Sequence, residues 1–79
     1  MTFVTLVTNG NRNTVPAAST KTPREILTEN GVDFSAAQAT LDGTILTPDK
    51  LNMSLTALGV GDACYITVVQ KHDNAVNVN

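Results

Sequence analysis

Cys64 is the only thiol and His72 the only imidazole in this chain of 79 residues, so a thiol nucleophile with an imidazole base would have to be built from this one pair. Cys64 lies within the β-prone run Ala63-Cys64-Tyr65-Ile66-Thr67-Val68-Val69 with no histidine close in sequence. It reads as a small buried apolar filler. His72 stands beside Asp73 where that run gives way to polar residues, and reads as a solvated side chain. One thiol and one imidazole do not furnish a structural zinc site. Among the carboxylates, Asp42 and Asp62 each neighbour a glycine and Asp33 and Asp49 begin turns, and nothing in their spacing implies the convergent pair that general acid–base catalysis requires. Asn9-Gly10-Asn11 is not a phosphate loop, because no Gly-Lys-Ser/Thr pattern is present and no helix is expected after it. These residues predict no enzyme, no cofactor, no metal and no small-molecule substrate.

Charge and composition narrow the partners. The net charge is -2, and the basic residues Arg12, Lys21, Arg24, Lys50 and Lys71 are scattered, whereas phosphate-backbone binding needs a local basic surface. Nucleic acid is not expected as a partner unless folding gathers Arg12, Lys21 and Lys71 on one side. No apolar run approaches the roughly 18 residues of a membrane span, and the N-terminus lacks a basic segment followed by an apolar stretch. A soluble, cytoplasmic chain is the expectation. Charged residues make up only 15% and aromatics 4%, while twelve threonines and eight asparagines supply polarity through hydroxyls and amides. A chain this short hides only about 60% of the surface that its unfolded form exposes, so it has room for one small domain with modest reserve.

The elements that must position these residues follow from local chemistry. Thr2 to Thr8 is rich in β-branched residues without helical spacing and reads as a strand. Asn9-Gly10-Asn11 tolerates the positive φ of a tight hairpin, and Arg12 to Ala18 is the returning strand, with Pro16 marking a sheet edge or an early end. Thr22-Pro23-Arg24-Glu25 combines a threonine N-cap, proline at the first helical position and a glutamate that completes a capping box. The helix it starts buries Ile26 and Leu27 and ends at Asn30-Gly31 in a left-handed cap, with Val32 making the accompanying apolar contact. After a polar link with Phe34 as a core residue, Ala37 to Leu41 reads as a third strand. Asp42-Gly43 then turns the chain into the short strand Thr44-Ile45-Leu46. Thr47-Pro48-Asp49-Lys50 begins a compact turn whose Leu51, Leu55 and Leu58 face inward, and Gly59-Val60-Gly61-Asp62 leads to the last strand. Residues 1–70 form the expected domain, and residues 71–79 a flexible C-terminal tail.

This order, together with the run Leu41-Asp42-Gly43-Thr44-Ile45-Leu46, the segment Ser54-Leu55-Thr56-Ala57-Leu58-Gly59-Val60 and the Gly61-Asp62 entry to the terminal strand, resembles a ubiquitin-like protein of the small prokaryotic type. The resemblance implies an α+β fold, the β-grasp, with a mixed four- to five-stranded sheet packed on one α-helix. It is specific for fold and weak for function, since such domains serve as modifiers, sulfur carriers and adaptors. Modifiers and carriers resemble one another in ending with an activatable diglycine. Here the sequence ends Asn77-Val78-Asn79 with no glycine after Gly61, so that role is disfavoured. Aligned by the same resemblance, Thr40 and Thr67 occupy two positions of the aliphatic patch that ubiquitin readers engage, and such readers are expected to bind poorly.

What the strands leave outside is more informative. If Val4, Leu6, Cys64, Ile66 and Val68 face the helix, then Phe3, Thr5, Val7, Tyr65, Thr67 and Val69 face away. In the fold that the resemblance implies, the first and last strands are parallel neighbours, so Phe3, Val7, Tyr65, Thr67 and Val69 fall on one open face. Aromatic and aliphatic residues among threonines suit a protein interface. The expected function is a non-enzymatic protein-binding module working through that face, with self-association as its simplest version. A structural component of a phage or mobile-element assembly is the alternative reading, and a modifier or sulfur carrier the second alternative.

Overall fold

The tightest local instruction in the sequence is the Asn9-Gly10 turn. Both residues take positive φ, 48° and 82°, the combination that matches the right-handed twist of the flanking strands and for which an Asn-Gly pair is best suited. The turn joins β1 (Thr2–Thr8) to β2 (Asn11–Ala17) in antiparallel register from Thr8↔Asn11 to Thr2↔Ala17. Pro16, which has no N–H to donate, is accommodated because β2 lies at an edge of the sheet.

Helix α1 (Pro23–Glu29) begins as its sequence dictates. The Thr22 hydroxyl accepts from the Glu25 N–H, and the Glu25 carboxylate accepts from the Thr22 N–H at 3.0 Å. At the other end the Gly31 N–H donates to the Thr28 carbonyl and the Val32 N–H to the Leu27 carbonyl, the paired bonds of a Schellman cap, with Gly31 at φ 71°. The helix is too short to persist alone in water. Packing holds it, with Pro23, Ile26 and Leu27 buried against the sheet.

The computed structural model, described here over residues 1–70, carries the chain on through β3 (Ala37–Leu41), β4 (Thr44–Ile45), α2 (Pro48–Leu51) and β5 (Ala63–Gln70). The expected tail over 71–79, and with it Lys71, His72 and Asp73, lies outside the described residues. The sheet is five-stranded in the order β2-β1-β5-β3-β4. β5 sits at its centre, parallel to β1 and antiparallel to β3, which makes the sheet mixed. One face is sealed: Val4 and Leu6 from β1, Ala39 and Leu41 from β3, and Cys64, Ile66 and Val68 from β5 pack with Ile26, Leu27, Leu46 and Leu55. Phe34, Leu51 and Leu58 close its margin.

Two expectations need correction. The segment after Thr47 is more than a compact turn: Pro48–Leu51 forms a one-turn helix, capped by the Thr47 hydroxyl, which accepts from the Lys50 N–H, so two helices accompany the sheet among the described residues. The Thr47-Pro48 pair supplies the same N-cap and first-turn proline as Thr22-Pro23. The second strand also begins one residue earlier than Arg12 and ends at Ala17, because the two-residue turn pairs Asn11 directly with Thr8. No helix among the described residues is long and apolar enough to cross a membrane.

Candidate functional site

Among the described residues, no helix lies over the second face of the sheet. Directly paired residues share a face, so the register Phe3↔Pro16, Thr5↔Thr14 and Val7↔Arg12 on one side of β1, and Phe3↔Ala63, Thr5↔Tyr65 and Val7↔Thr67 on the other, places all of these side chains on the open side. From β5 the surface extends through Thr67↔Thr40 and Val69↔Gln38 to β3, and through Thr40↔Ile45 to β4. Phe3, Tyr65 and Val69 are 54%, 49% and 57% exposed. Val7 and Thr67 share the face but are half-buried. The five residues read from the sequence therefore come together on one surface with unequal exposure.

Tertiary pairing adds features that the strand-by-strand reading did not contain. Ile45 is 53% exposed and joins the surface at its β4 end. It was missed because a short apolar run such as Thr44-Ile45-Leu46 does not announce its parity; the clue in the sequence was the Asp42-Gly43 turn, which pairs Thr40 with Ile45 and sends Leu46 inward. The Arg12 guanidinium reaches diagonally across β1 to lie 5.9 Å from the centre of the Tyr65 ring, within the range of a cation–π contact. Thr5, beside Tyr65 on the open side, is buried to 9% exposure, and its hydroxyl meets that of Thr14 at 2.9 Å. Its expected role as an outward surface residue is thus reduced to a bridge between β1 and β2.

Among the described residues, Arg12 is the only charged side chain at the strand positions that face outward. Lys21 pairs with Glu29 and Arg24 hydrogen-bonds Asn52 at 2.7 Å, so each has a partner other than the Tyr65 ring that Arg12 covers. Over the described residues the open side is consequently an apolar and hydroxyl-rich surface with a single cation over an aromatic ring. It can bury area against a protein, and its described strand positions carry no cysteine, histidine or carboxylate.

The other candidates are placed elsewhere. Cys64 is buried on the helix side of β5, where desolvation, with a smaller contribution from the Asp42 charge, pushes its thiol up to about 11 and leaves it protonated and unreactive at neutral pH. Asp33 serves a turn, accepting from the N–H and hydroxyl of Ser35, which lowers its carboxyl from the ordinary value. A cleft of about 260 Å³ near the β3–β4 turn has Asp42 and Lys50 as the titratable groups among the described residues of its lining. Among the described residues no cluster of three or more His, Cys, Asp or Glu could hold a metal.

No protein-family model matches the chain, and no curated protein matches it in sequence. Solved structures do match. A protein of Arabidopsis thaliana determined by sparse NMR data combined with evolutionary couplings superposes with a TM-score of 0.70 at 20% identity, over 98% of this chain and 94% of its own. The thiamine biosynthesis protein ThiS from Geobacter metallireducens superposes with a TM-score of 0.59 at 20% identity, over 86% of this chain and 94% of its own. A ubiquitin-like protein from the hyperthermophilic archaeon Caldiarchaeum subterraneum gives 0.57 at 16% identity, over 89% and 96%. At these identities the likeness concerns backbone architecture. With the helix across a mixed sheet whose first and last strands are parallel neighbours, it shows that this chain has the α+β ubiquitin-like β-grasp fold.

Proposed function

We propose that this protein is a non-catalytic binding module that docks another protein through the open face of its sheet. The observation that carries the reading is the grouping of Phe3, Tyr65, Val69 and Ile45, each about half exposed or more, on a face whose one charge among the described strand positions is Arg12. Central interface regions are depleted of charge and enriched in aromatics and arginine. Isolated surface apolar residues are ordinary, but four of them on paired strands of one face form a patch that water solvates poorly. A second copy of the chain is the simplest occupant, because it presents the same nearly uncharged surface.

The test compares wild type with Tyr65→Ala and Val69→Lys, both at exposed positions that leave the buried face intact. Light scattering over a concentration series reads self-association. Affinity capture from the native cells, washed with and without denaturant, reads other partners. Loss of the bound protein or of the oligomer in both variants, with unchanged denaturation midpoints, is the expected result. Wild-type association by both variants would remove the open face from the function. Partners retained through denaturant would point to a covalent modifier instead.

A further inference from the structure

Asn9-Gly10, Asn30-Gly31 and Asp42-Gly43 share one local chemistry. A glycine nitrogen can close on the preceding side-chain carbonyl carbon, because no Cβ hinders its approach. The fold treats the three sites differently. The Asn30 side-chain amide donates to the Ile26 carbonyl at 2.8 Å while the Gly31 N–H donates to the Thr28 carbonyl at 3.1 Å, so both the electrophile and the nucleophile are tied into the helix cap. The Asp42 carboxylate accepts from the Tyr65 N–H at 2.9 Å, and an ionised carboxylate is in any case a poor electrophile. Asn9 and Gly10 are both exposed at the tip of the β1–β2 hairpin. Among the described residues neither the Asn9 side chain nor the Gly10 N–H has a hydrogen-bond partner.

We infer that Asn9 is a built-in deamidation site and that Asn30, with the same dipeptide, is protected by the helix cap. In the reaction the deprotonated Gly10 nitrogen attacks Cγ of Asn9 and a new N–Cγ bond forms. The bond from Cγ to Nδ2 breaks, and ammonia leaves with the proton taken from the backbone nitrogen. Water then opens the five-membered imide at either carbonyl, giving aspartate or the isoaspartate linkage that runs the main chain through the side chain. No oxidant or reductant is involved. Ring closure needs the left-handed backbone of Asn9 to swing out of the turn, and a hairpin tip opens at a lower free-energy cost than a helix end anchored on the core.

The site bears on the open face. Deamidation places a new carboxylate at the tip, close in sequence to Arg12, whose guanidinium lies over Tyr65. A negative charge there competes with the aromatic ring for the Arg12 guanidinium, and an isoaspartate lengthens a turn whose two residues set the β1–β2 register.

Incubation of the intact protein at neutral and at mildly alkaline pH, followed by peptide mapping and enzymatic isoaspartate labelling, tests this inference. The expected result is conversion at Asn9 at least about tenfold faster than at Asn30, as the smaller local opening implies, with the two rates converging once the chain is unfolded in denaturant. Equal rates in the folded protein, faster conversion at Asn30, or an unchanged Asn9 under conditions that convert it in the unfolded chain would each overturn the proposal. An Asn9→Asp variant removes the amide without deleting the turn, and its expected signature is a weakened Arg12–Tyr65 contact, read as a change in tyrosine fluorescence. The readouts are site-specific and do not depend on whether the open face binds a partner.

Discussion

Asp42 and Tyr65 exchange two hydrogen bonds at the end of β3. The Asp42 N–H donates to the Tyr65 carbonyl at 2.8 Å, and the Asp42 carboxylate Oδ1 accepts from the Tyr65 N–H at 2.9 Å. At φ 49° the backbone of Asp42 has left the strand conformation, so its own carbonyl no longer serves as the acceptor. The side chain supplies the missing oxygen and extends the β3–β5 ladder by one pair. That pair anchors the backbone of Tyr65, one of the two exposed aromatics on the open face.

Substitutions at Asp42 should separate the acceptor from the backbone requirement. Asp42→Asn keeps an oxygen acceptor and tolerates positive φ, and should remain close to wild type in stability. Asp42→Gly keeps the conformation but removes the acceptor. Asp42→Ala loses both and should cost about 1 to 3 kcal/mol, from an unsatisfied donor together with left-handed strain. Urea denaturation of the series should rank asparagine above glycine and glycine above alanine.

Gly31→Ala isolates a purely conformational cost. A Cβ at this position would meet nothing within 4 Å, yet its φ is 71°. The loss should be about 1 to 2 kcal/mol, the strain of a left-handed residue that is not glycine, with the helix content of the folded protein unchanged by circular dichroism. A larger loss would mean that the cap bonds from Gly31 and Val32 are themselves broken.

Ile26 is 1% exposed at the centre of the helix–sheet contact. Its replacement by alanine should cost about 2 to 5 kcal/mol, a large share of the margin of a small domain. Equilibrium denaturation should show the midpoint falling with an unchanged denaturant slope.

Cys64 gives a signed pH dependence. Its thiol is raised from 9.0 to about 11 in the folded chain, first by burial and then by the Asp42 charge. Above the unfolded value the unfolded chain loses the proton while the folded one keeps it, so the contribution is fully present below pH 9 and is lost as pH rises towards 11. The difference in stability between wild type and Cys64→Ala should therefore shrink across that window. Thiol labelling at neutral pH should proceed only as fast as the protein opens.

Much of this architecture is legible in short stretches of sequence because the interactions that encode it are themselves short. Thr22, Pro23 and Glu25 satisfy the orphan donors of the first helical turn, Gly31 accepts the left-handed conformation that ends the helix, and Asn9-Gly10 and Asp42-Gly43 set two hairpins by their allowed φ. The β-branched runs Thr2–Thr8 and Ala63–Gln70 declare themselves as strands, and their alternation separates Val4 and Ile66 from Phe3 and Tyr65. Only the tertiary structure decided what those alternations mean together. The parallel pairing of Thr5 with Tyr65 and the hairpin pairing of Thr5 with Thr14 bury a threonine on an otherwise open surface. Arg12 reaches Tyr65 across an intervening strand, and Ile45 joins the same surface from the far side of β3. Cross-strand register depends on pairs of residues distant in the chain, and no local propensity carries that information. The helix cap that ties down Asn30, and the hairpin tip that leaves Asn9 free, likewise give one dipeptide two chemical environments through the hydrogen bonds that each fold element makes.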